Sequence, residues 1–255
     1  DDPAHPEPER HRPLEDVEAL LLLGVDVHVT DVAFAEHHLV RLVMLASDPG
    51  AAVLATTSGT PIAQLEHVLY RAREGTQQPS RSSVEVPLRL VRASLEIGDP
   101  TQARNRLAQL KAVIPADWRL NWYSGQCALL EREFDKAAVD FNAVLTMLPG
   151  ELPPKLAIAA TAELRGARAD AARYYETVWR TDHNYVSAAF GLARQRARAG
   201  DRAGAIAALD HVSAASAHFT AAAATAIEIL LDGRKPEDLD EHTLLDAGKR
   251  AARLR

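Results

Sequence analysis

An alanine recurs every 34 residues in this 255-residue sequence, and that interval restricts the possible folds more than any other feature. The four alanines are Ala103, Ala137, Ala171 and Ala205. A fixed interval that holds over four copies without an insertion indicates that the chain repeats one structural unit. In such an array each unit buries its apolar face mainly against its neighbours, so we expect a stack of units instead of a single central core.

Other positions of the unit keep their residue type through the same step. Larger apolar side chains follow each alanine after four and after seven residues: Leu107, Phe141, Tyr175 and Leu209, then Leu110, Val144, Val178 and Val212. Small or modest side chains lie twelve residues before each alanine: Val91, Gly125, Ala159 and Ala193. The residues five positions before the alanines are Gly98, Arg132, Gly166 and Gly200. Glycine at that place predicts a helix end, and the small residues predict close helix crossings.

A 34-residue unit of helix, tight turn and second helix is the tetratricopeptide pattern. The sequence therefore predicts an all-α tetratricopeptide-repeat solenoid of about four repeats, with a C-terminal capping helix and a short mixed N-terminal segment. The predicted domain covers residues 84–255, with repeats at 84–117, 118–151, 152–185 and 186–219 and a cap at 220–255. The sequence is rich in Ala, Leu, Arg and Glu, which agrees with helical structure because these side chains lose little rotamer freedom in a helix.

The chain ahead of the repeats has a different composition. Residues 1–13 are rich in proline and charge, which predicts a disordered linker. Residues 14–80 predict an N-terminal helical segment that packs on the repeats, with helix starts at Ser47-Asp48-Pro49 and at Pro61. The opening DDPAHPEPER lacks methionine and a signal-like pattern, so we expect an excised piece of a longer protein.

Charge and composition argue against several classes of partner and site. A formal net charge of -6 gives no electrostatic reason to expect nucleic acid as a partner. No apolar run approaches the ~20 residues that a membrane-spanning helix needs. Cys127 is the single cysteine, which excludes an internal disulfide and a CxxC metal site, and we expect it to be a small buried helix residue.

The sequence contains no motif for catalysis. A glycine-rich phosphate loop, DFG, a nucleophile elbow and HExxH are all missing. His28, His37 and His38 lack acidic or cysteine partners at ligand spacing, so we expect them to bind no metal. The sequence therefore predicts no catalytic residue, no metal and no cofactor in this chain, and it favours a binding surface.

The first helices of stacked repeats line the concave side of a solenoid, and their exposed positions follow from the spacing. We therefore expect a partner-binding groove formed by Arg89, Arg92, Arg119, Trp122, Tyr123, Gln126, Glu163, Arg194 and Arg198. Aromatic residues among arginines are typical of binding hot spots. Two interpretations stay open for Trp122 and Tyr123, which either contact a partner or pack between helices.

Three stretches carry a more specific resemblance: LPGELPPKLAIAATAELRG, YYETVWRTDHNYVSAAFGLARQRARAGDRAGAI and HFTAAAATAIEILLDGR. They closely resemble the C-terminal tetratricopeptide-repeat region of PknG-type bacterial serine/threonine protein kinases. The resemblance covers residues 84–234 and extends more loosely over 26–75, including VTDV and SDPGAAVL. It implies a cytoplasmic protein whose parent carries a CxxC metal module and a kinase domain and phosphorylates an FHA-domain regulator.

The resemblance implies a regulatory part of such a kinase, because this chain has neither the CxxC module nor any kinase motif. The expected function is non-catalytic protein–protein interaction that supports dimerisation and partner or substrate docking. The expected partners are the kinase domain in cis, an FHA-domain regulator or a second copy of the chain. Two alternatives stay open: a free-standing tetratricopeptide adaptor, or a fragment whose ATP-dependent phosphorylation activity belongs to its parent.

Overall fold

The structure, a computed structural model, describes residues 83–253 without a gap, together with the isolated positions 48, 50, 54, 64, 65 and 67. This part of the chain contains ten α-helices: α1 Glu85–Glu96, α2 Pro100–Lys111, α3 Trp118–Leu130, α4 Phe134–Met147, α5 Leu152–Leu164, α6 Arg168–Thr181, α7 Val186–Arg198, α8 Arg202–Asp210, α9 Phe219–Leu231 and α10 Glu241–Ala252. The predictions for residues 1–13, for most of 14–80, for Pro61 and for the three N-terminal histidines His28, His37 and His38 lie outside the described residues.

The helices form consecutive hairpins that stack on one another. α1 packs with α2, α3 with α4, α5 with α6 and α7 with α8, and each hairpin also packs on the next along the chain. First helices of neighbouring hairpins touch as well, α1 with α3 and α5 with α7. No strand occurs among the described residues. The predicted all-α tetratricopeptide solenoid is therefore confirmed, with α9 and α10 following the four hairpins.

The repeated residues occupy the contacts between helices, as their spacing predicts. All four phased alanines are buried with 0% exposure. The larger apolar residues that follow them, such as Phe141 and Tyr175, lie in the same continuous core. A Cβ atom added at Gly125 would come within 2.6 Å of the Phe141 ring, and one at Gly191 within 2.4 Å of the Tyr175 ring. Small residues are thus required at these crossings, because a close-packed interior does not absorb an extra methyl group freely.

The turn inside each hairpin uses a left-handed residue to end the first helix. Gly98, Gly166 and Gly200 have φ angles of 73°, 74° and 84° at this place. The second hairpin has Arg132 there, with a φ angle of 59°. Asp99 then caps α2, because its carboxylate accepts a hydrogen bond at 2.9 Å from a backbone N–H of the first turn. The glycine positions therefore end helices for the reason that the sequence indicates.

Described residues of the N-terminal segment contact α1. The Asp48 carboxylate accepts hydrogen bonds from the Ser83 hydroxyl at 2.5 Å and from two backbone N–H groups at the start of α1 at 3.0 and 3.3 Å. Burial opposes charge on this carboxyl, but the hydrogen bonds outweigh burial and lower the pKa of Asp48. Leu65 is fully buried against α1. How the rest of residues 14–80 packs stays a prediction.

The C-terminal end departs from the 34-residue pattern. α8 ends at Asp210, and an irregular stretch precedes α9, whose fully buried residues are Ala222 and Ala226. α10 packs on α9, and the Arg250 guanidinium binds the Asp210 carboxylate at 2.5 and 3.0 Å. Residues 220–253 thus end the stack with one more helix pair, which Arg250 ties to α8.

Candidate partner-binding site

The two aromatic residues of the predicted groove are core residues. Trp122 and Tyr123 are 1% and 4% exposed. The Trp122 indole packs edge-on against the Phe141 ring of α4, with the ring centroids 5.4 Å apart. The expectation that both side chains are exposed in a groove is therefore wrong, and packing between helices is the correct interpretation. A Trp122 variant would report on stability and not on binding, because truncating a buried tryptophan typically costs ~3–5 kcal/mol.

Arg119 is also buried and forms ion pairs within the solenoid. Its side chain is 9% exposed, and its guanidinium donates to Glu85 Oε1 at 2.5 Å and to both oxygens of Asp117. Burial opposes the charge of Arg119, but the hydrogen bonds to Asp117 and Glu85 outweigh burial and raise its pKa. Glu85 and Arg119 occupy the same position in successive repeats, so this ion pair joins α1 to α3. Arg119 therefore stabilises the stack, and the expectation that it is exposed is wrong.

Three further residues of the predicted groove lie half-buried on the first helices of the first two repeats. Arg89 and Arg92 both bind the Glu96 carboxylate of their own helix, with N–O distances of 3.3 and 2.9 Å. Gln126 lies on α3. Ion pairs of this partly exposed kind contribute roughly 0–1 kcal/mol, so the two arginines can exchange Glu96 for a partner's carboxylate at little cost.

Glu163 of α5 accepts hydrogen bonds from three side chains of other helices. Arg194 of α7 donates twice, from Nε to Oε1 and from Nη2 to Oε2, both at 2.9 Å. Arg198 donates to Oε1 at 2.7 Å, and the Tyr175 hydroxyl donates to Oε2 at 3.0 Å. The Glu163 and Arg194 side chains are 6% and 9% exposed, whereas Arg198 is 39% exposed. The structure thus brings three of the predicted site residues together, with Arg198 on the solvent side.

An open cleft adjoins this ion-pair network, between α7 and α9. Its volume is about 750 Å³, which lies within the range of pockets that hold small ligands. The lining comes from α7, the start of α8 and the second half of α9: Arg194, Ala197, Arg198, Arg202, Thr225, Ile227, Glu228, Ile229, Leu231 and Asp232. A cleft of this size accepts a few side chains of a projecting segment and not a broad flat surface.

The two walls of the cleft carry opposite charge. Arg198 and Arg202 lie on one wall, and the exposed Glu228 and Asp232 lie on the other. The Arg202 guanidinium donates to the Ile229 carbonyl at 3.3 Å. In the described part of the chain, Arg202 has no carboxylate within 4 Å, and no ion pair joins the two walls. The Arg202 guanidinium thus reaches the backbone of α9, while neither Arg198 nor Arg202 forms an ion pair with Glu228 or Asp232.

The α9 side of the cleft offers apolar surface that the stack leaves partly uncovered. Its fully buried residues, Ala222 and Ala226, are small and let α9 approach the preceding helices closely. The large apolar side chains of α9 are all half-buried: Phe219, Ile227, Ile229, Leu230 and Leu231. Three of them, Ile227, Ile229 and Leu231, line the cleft. Apolar surface inside a concave cleft with convergent polar groups is typical of a binding site.

The sequence prediction missed the whole α9 wall, although the repeat interval contained the signal. Glu228 and Asp232 lie 34 residues after Arg194 and Arg198, at the same positions of the next first helix. The phased alanine does not extend that far, because Leu239 occupies the next position in the series. Repeats that are assigned from the phased alanines therefore end at residue 219. The 34-residue offset applied to Arg194 and Arg198 instead leads to Glu228 and Asp232 on the second wall.

The single cysteine is poorly suited to nucleophilic chemistry at neutral pH. Cys127 is fully buried, and burial raises the pKa of its thiol to about 11, so the nucleophilic thiolate is scarce. No group of three or more His, Cys, Asp or Glu in the described ranges could hold a metal ion. None of the helices described is both long enough and apolar enough to span a membrane.

Comparison with known proteins gives a consistent family. Residues 26–255 match the family model described as protein kinase G tetratricopeptide repeat. The serine/threonine-protein kinase PknG of Mycolicibacterium smegmatis (strain ATCC 700084 / mc(2)155) is 39% identical over 248 residues, covering 92% of this chain and 32% of that protein. PknG of Mycobacterium leprae (strain TN) is 42% identical over 213 residues, covering 82% and 28%. The chain spans about a third of the length of these curated relatives.

A solved structure has the same kind of fold. The tetratricopeptide repeat protein of Parabacteroides merdae ATCC 43184 superposes with a TM-score of 0.55 at 16% identity, covering 94% of this chain and 91% of that chain. At this identity the likeness concerns the fold alone, and it agrees with the stacked helix pairs.

Proposed function

Because the chain belongs to the protein kinase G tetratricopeptide repeat family, we propose that it is the non-catalytic interaction region of a PknG-like serine/threonine protein kinase. A stack of helix pairs offers an extended concave surface for partners. The relatives are kinases of about three times this length, which supports a role inside a larger kinase over that of a free-standing adaptor. Phosphotransfer then belongs to another part of the parent protein, and this region regulates it by holding partners.

The open cleft between α7 and α9 is the observation that carries this proposal. It combines half-buried apolar side chains with charged groups, which is the composition of protein-binding pockets. Most of the other predicted groove residues are buried or form ion pairs within the solenoid. Docking therefore centres on Arg198 and the α9 wall, with the buried Arg194 holding Glu163 beside them and with Arg89 and Arg92 as secondary contacts near the other end of the stack.

Three partners suit this region: the kinase domain in cis, an FHA-domain regulator and a second copy of the chain. Each follows from the family resemblance, as does a cytoplasmic location. The proposed organisation has a linker at residues 1–13, an N-terminal segment at 14–80 and the repeat domain at 84–255. The cleft requires that the partner present a protruding helix or loop, because its volume does not accommodate a globular surface.

Two double charge-reversal variants of the full-length parent protein test the proposal. The cleft pair is Arg198→Glu with Arg202→Glu, and the control pair is Arg168→Glu with Arg180→Glu, two exposed arginines of α6 outside the cleft. Calorimetry with the FHA-domain regulator and sedimentation for self-association measure binding. The cleft pair should weaken at least one association by about tenfold, because two charge contacts are reversed, while the control pair should not.

Two results would contradict the proposed function. One is that both double variants bind every tested partner as the wild type does. Helix content and melting temperature confirm that the variants are folded. The other is phosphotransfer or ATP hydrolysis by the 255-residue chain alone, since the proposed role is non-catalytic.

A further inference from the structure

The cleft between α7 and α9 has an ordered charge pattern that selects among partner segments, and this inference rests on the proposed function. We propose that the cleft takes an amphipathic segment of a protein partner in which an apolar side chain stands between a carboxylate and a cation. The carboxylate faces Arg198 and Arg202, and the cation faces Glu228 and Asp232. The apolar side chain packs on Ile227 and Leu231.

Arg198 is available to a partner because the buried carboxylate that it contacts has other donors. Glu163 keeps two hydrogen bonds from Arg194 and one from the Tyr175 hydroxyl when Arg198 moves away. The Arg198 side chain is 39% exposed, whereas that of Glu163 is 6% exposed. Moving Arg198 towards a partner therefore leaves no buried charge without a donor, which is the condition under which an ion pair exchanges cheaply.

Arg202 supplies the second cation of the same wall. Its guanidinium donates to the Ile229 carbonyl at 3.3 Å, and no described carboxylate lies within 4 Å of it. A guanidinium has five N–H donors in a fork that matches a carboxylate. A partner's Asp or Glu side chain can therefore bind Arg202 without displacing an existing ion pair.

The opposite wall excludes a uniformly acidic partner. Glu228 is exposed on α9 and Asp232 is exposed directly after it, and neither has an ion pair among the described residues. A segment with carboxylates on both edges would bring like charges against this wall, and one with cations on both edges would meet the arginines. Like-charge contacts of this kind suppress wrong partners, and specificity uses such repulsion together with attraction. The charge order of the walls therefore favours a segment with one acidic and one basic edge.

Apolar side chains on the α9 wall fix the third element of the partner. Ile227 and Leu231 lie one helical turn apart on α9 and are half-buried at the cleft. Contact with an aliphatic side chain would remove this surface from water, which favours association roughly in proportion to the apolar area buried. The inferred recognition element is thus a leucine-sized residue with a charge of each sign on its two sides.

A panel of designed peptides tests the charge order directly. The probe consists of three copies of Glu-Leu-Lys-Ala, which as a helix places Glu and Lys on either side of a leucine stripe. Its controls replace every Lys by Glu, every Glu by Lys, or every Leu by Ala. Fluorescence anisotropy measures the binding of labelled peptides to the 255-residue chain. The mixed peptide should bind about tenfold more tightly than the two charge controls, as expected for two charge contacts, and more tightly than the Leu→Ala control, which loses the apolar contact.

Wall reversals on the protein should change the preference in opposite directions. Arg198→Glu with Arg202→Glu should shift the preference to the basic peptide, and Glu228→Lys with Asp232→Lys should shift it to the acidic peptide. Reversal of all four residues should restore tight binding of the mixed peptide with its orientation reversed. If the Arg198→Glu with Arg202→Glu variant loses helix content, the Glu228→Lys with Asp232→Lys variant still tests the inference, because Glu228 and Asp232 are exposed surface residues.

Several results would overturn the inference. They are equal binding of all charge patterns, weak binding of the mixed peptide to the wild type, or preferences that do not respond to either wall. If the mixed peptide dissociates a dimer of the chain, the cleft binds a second copy of the chain. This result would also overturn the inference that the cleft binds a segment of a different protein. These peptide results can appear while the Arg198→Glu with Arg202→Glu variant of the full-length parent still binds its partner more weakly than the wild type does. In that case the proposed function stands and only the charge order fails.

Discussion

The substitution Gly191→Ala should lower the stability of the repeat stack, although alanine is the better helix former. A Cβ at this position of α7 would lie 2.4 Å from two carbon atoms of the Tyr175 ring and 2.6 Å from a third. Ordinary carbon contacts need about 3.5–4.0 Å, so the overlap exceeds ~1 Å. Tyr175 is 1% exposed and its hydroxyl donates to Glu163, so the ring cannot retract without losing this hydrogen bond.

The magnitude follows from opposing contributions. Overpacking of a buried site typically costs ~1–3 kcal/mol, and loss of the Tyr175 hydrogen bond would add about 1 kcal/mol. The gain in helix propensity from glycine to alanine offsets roughly 1 kcal/mol. We therefore expect Gly191→Ala to reduce the free energy of unfolding by about 1–3 kcal/mol.

Urea unfolding followed by circular dichroism at 222 nm measures this effect, and the chain offers a matched control. Gly248 also lies within a helix, but a Cβ there would meet nothing within 4 Å. Gly248→Ala should therefore raise the urea midpoint while Gly191→Ala lowers it. The double variant Gly191→Ala with Tyr175→Leu should recover part of the loss through a favourable coupling energy. Equal or higher stability of Gly191→Ala would refute the close crossing of α6 and α7.

Three further predictions concern single residues. Arg132→Gly should raise the free energy of unfolding by about 1 kcal/mol, because it removes a side chain from a backbone with a φ angle of 59°; an unchanged urea midpoint would argue against that strain. Gln195→Leu should raise it by about 1–3 kcal/mol, because Gln195 is 5% exposed and neither amide atom has a partner among the described side chains; a lower melting temperature would contradict this. Cys127 should react with a disulfide reagent at pH 8 only as fast as the chain opens, because burial raises its pKa from 9.0 to about 11. Since the thiol of the unfolded chain ionises first, the free energy of unfolding should fall as the pH rises between these two values in the wild type, and less in Cys127→Ala. Labelling of Cys127 as fast as a free thiol would contradict this explanation.

The repeat interval predicted the fold because each repeated residue has a local physical role. Glycine at positive φ ends a helix wherever the backbone needs a left-handed residue, and three of the four turns use it. The phased alanines are fully buried between helices, and glycine occurs at positions 125 and 191, where even a Cβ atom would overlap an aromatic ring. These requirements act within one or two neighbouring units, so they can be read from sequence without knowledge of the distant chain.

The site was less predictable, because exposure at a groove position depends on neighbouring side chains as well as on spacing. Trp122 stands at a first-helix position that the interval assigned to the groove, yet it packs on Phe141 and is 1% exposed. Arg119 is likewise removed from solvent by Glu85, whose position 34 residues earlier in the chain gave no indication of contact. Arg194, Arg198 and Glu163 do come together, but their contact depends on the offset between α5 and α7. The interval gives residue positions, and packing decides which of them a partner can reach.

A photo-crosslinking measurement tests the central claim that partners dock in the cleft between α7 and α9. Benzoylphenylalanine would replace Thr225, which lines the cleft, or Val139, which is 69% exposed on α4 outside it, in the protein at its full cellular length. Irradiation should attach the Thr225 probe to another domain or partner chain, at a yield well above that of the Val139 probe. Equal yields at both positions, or no product from the Thr225 probe, would contradict this claim.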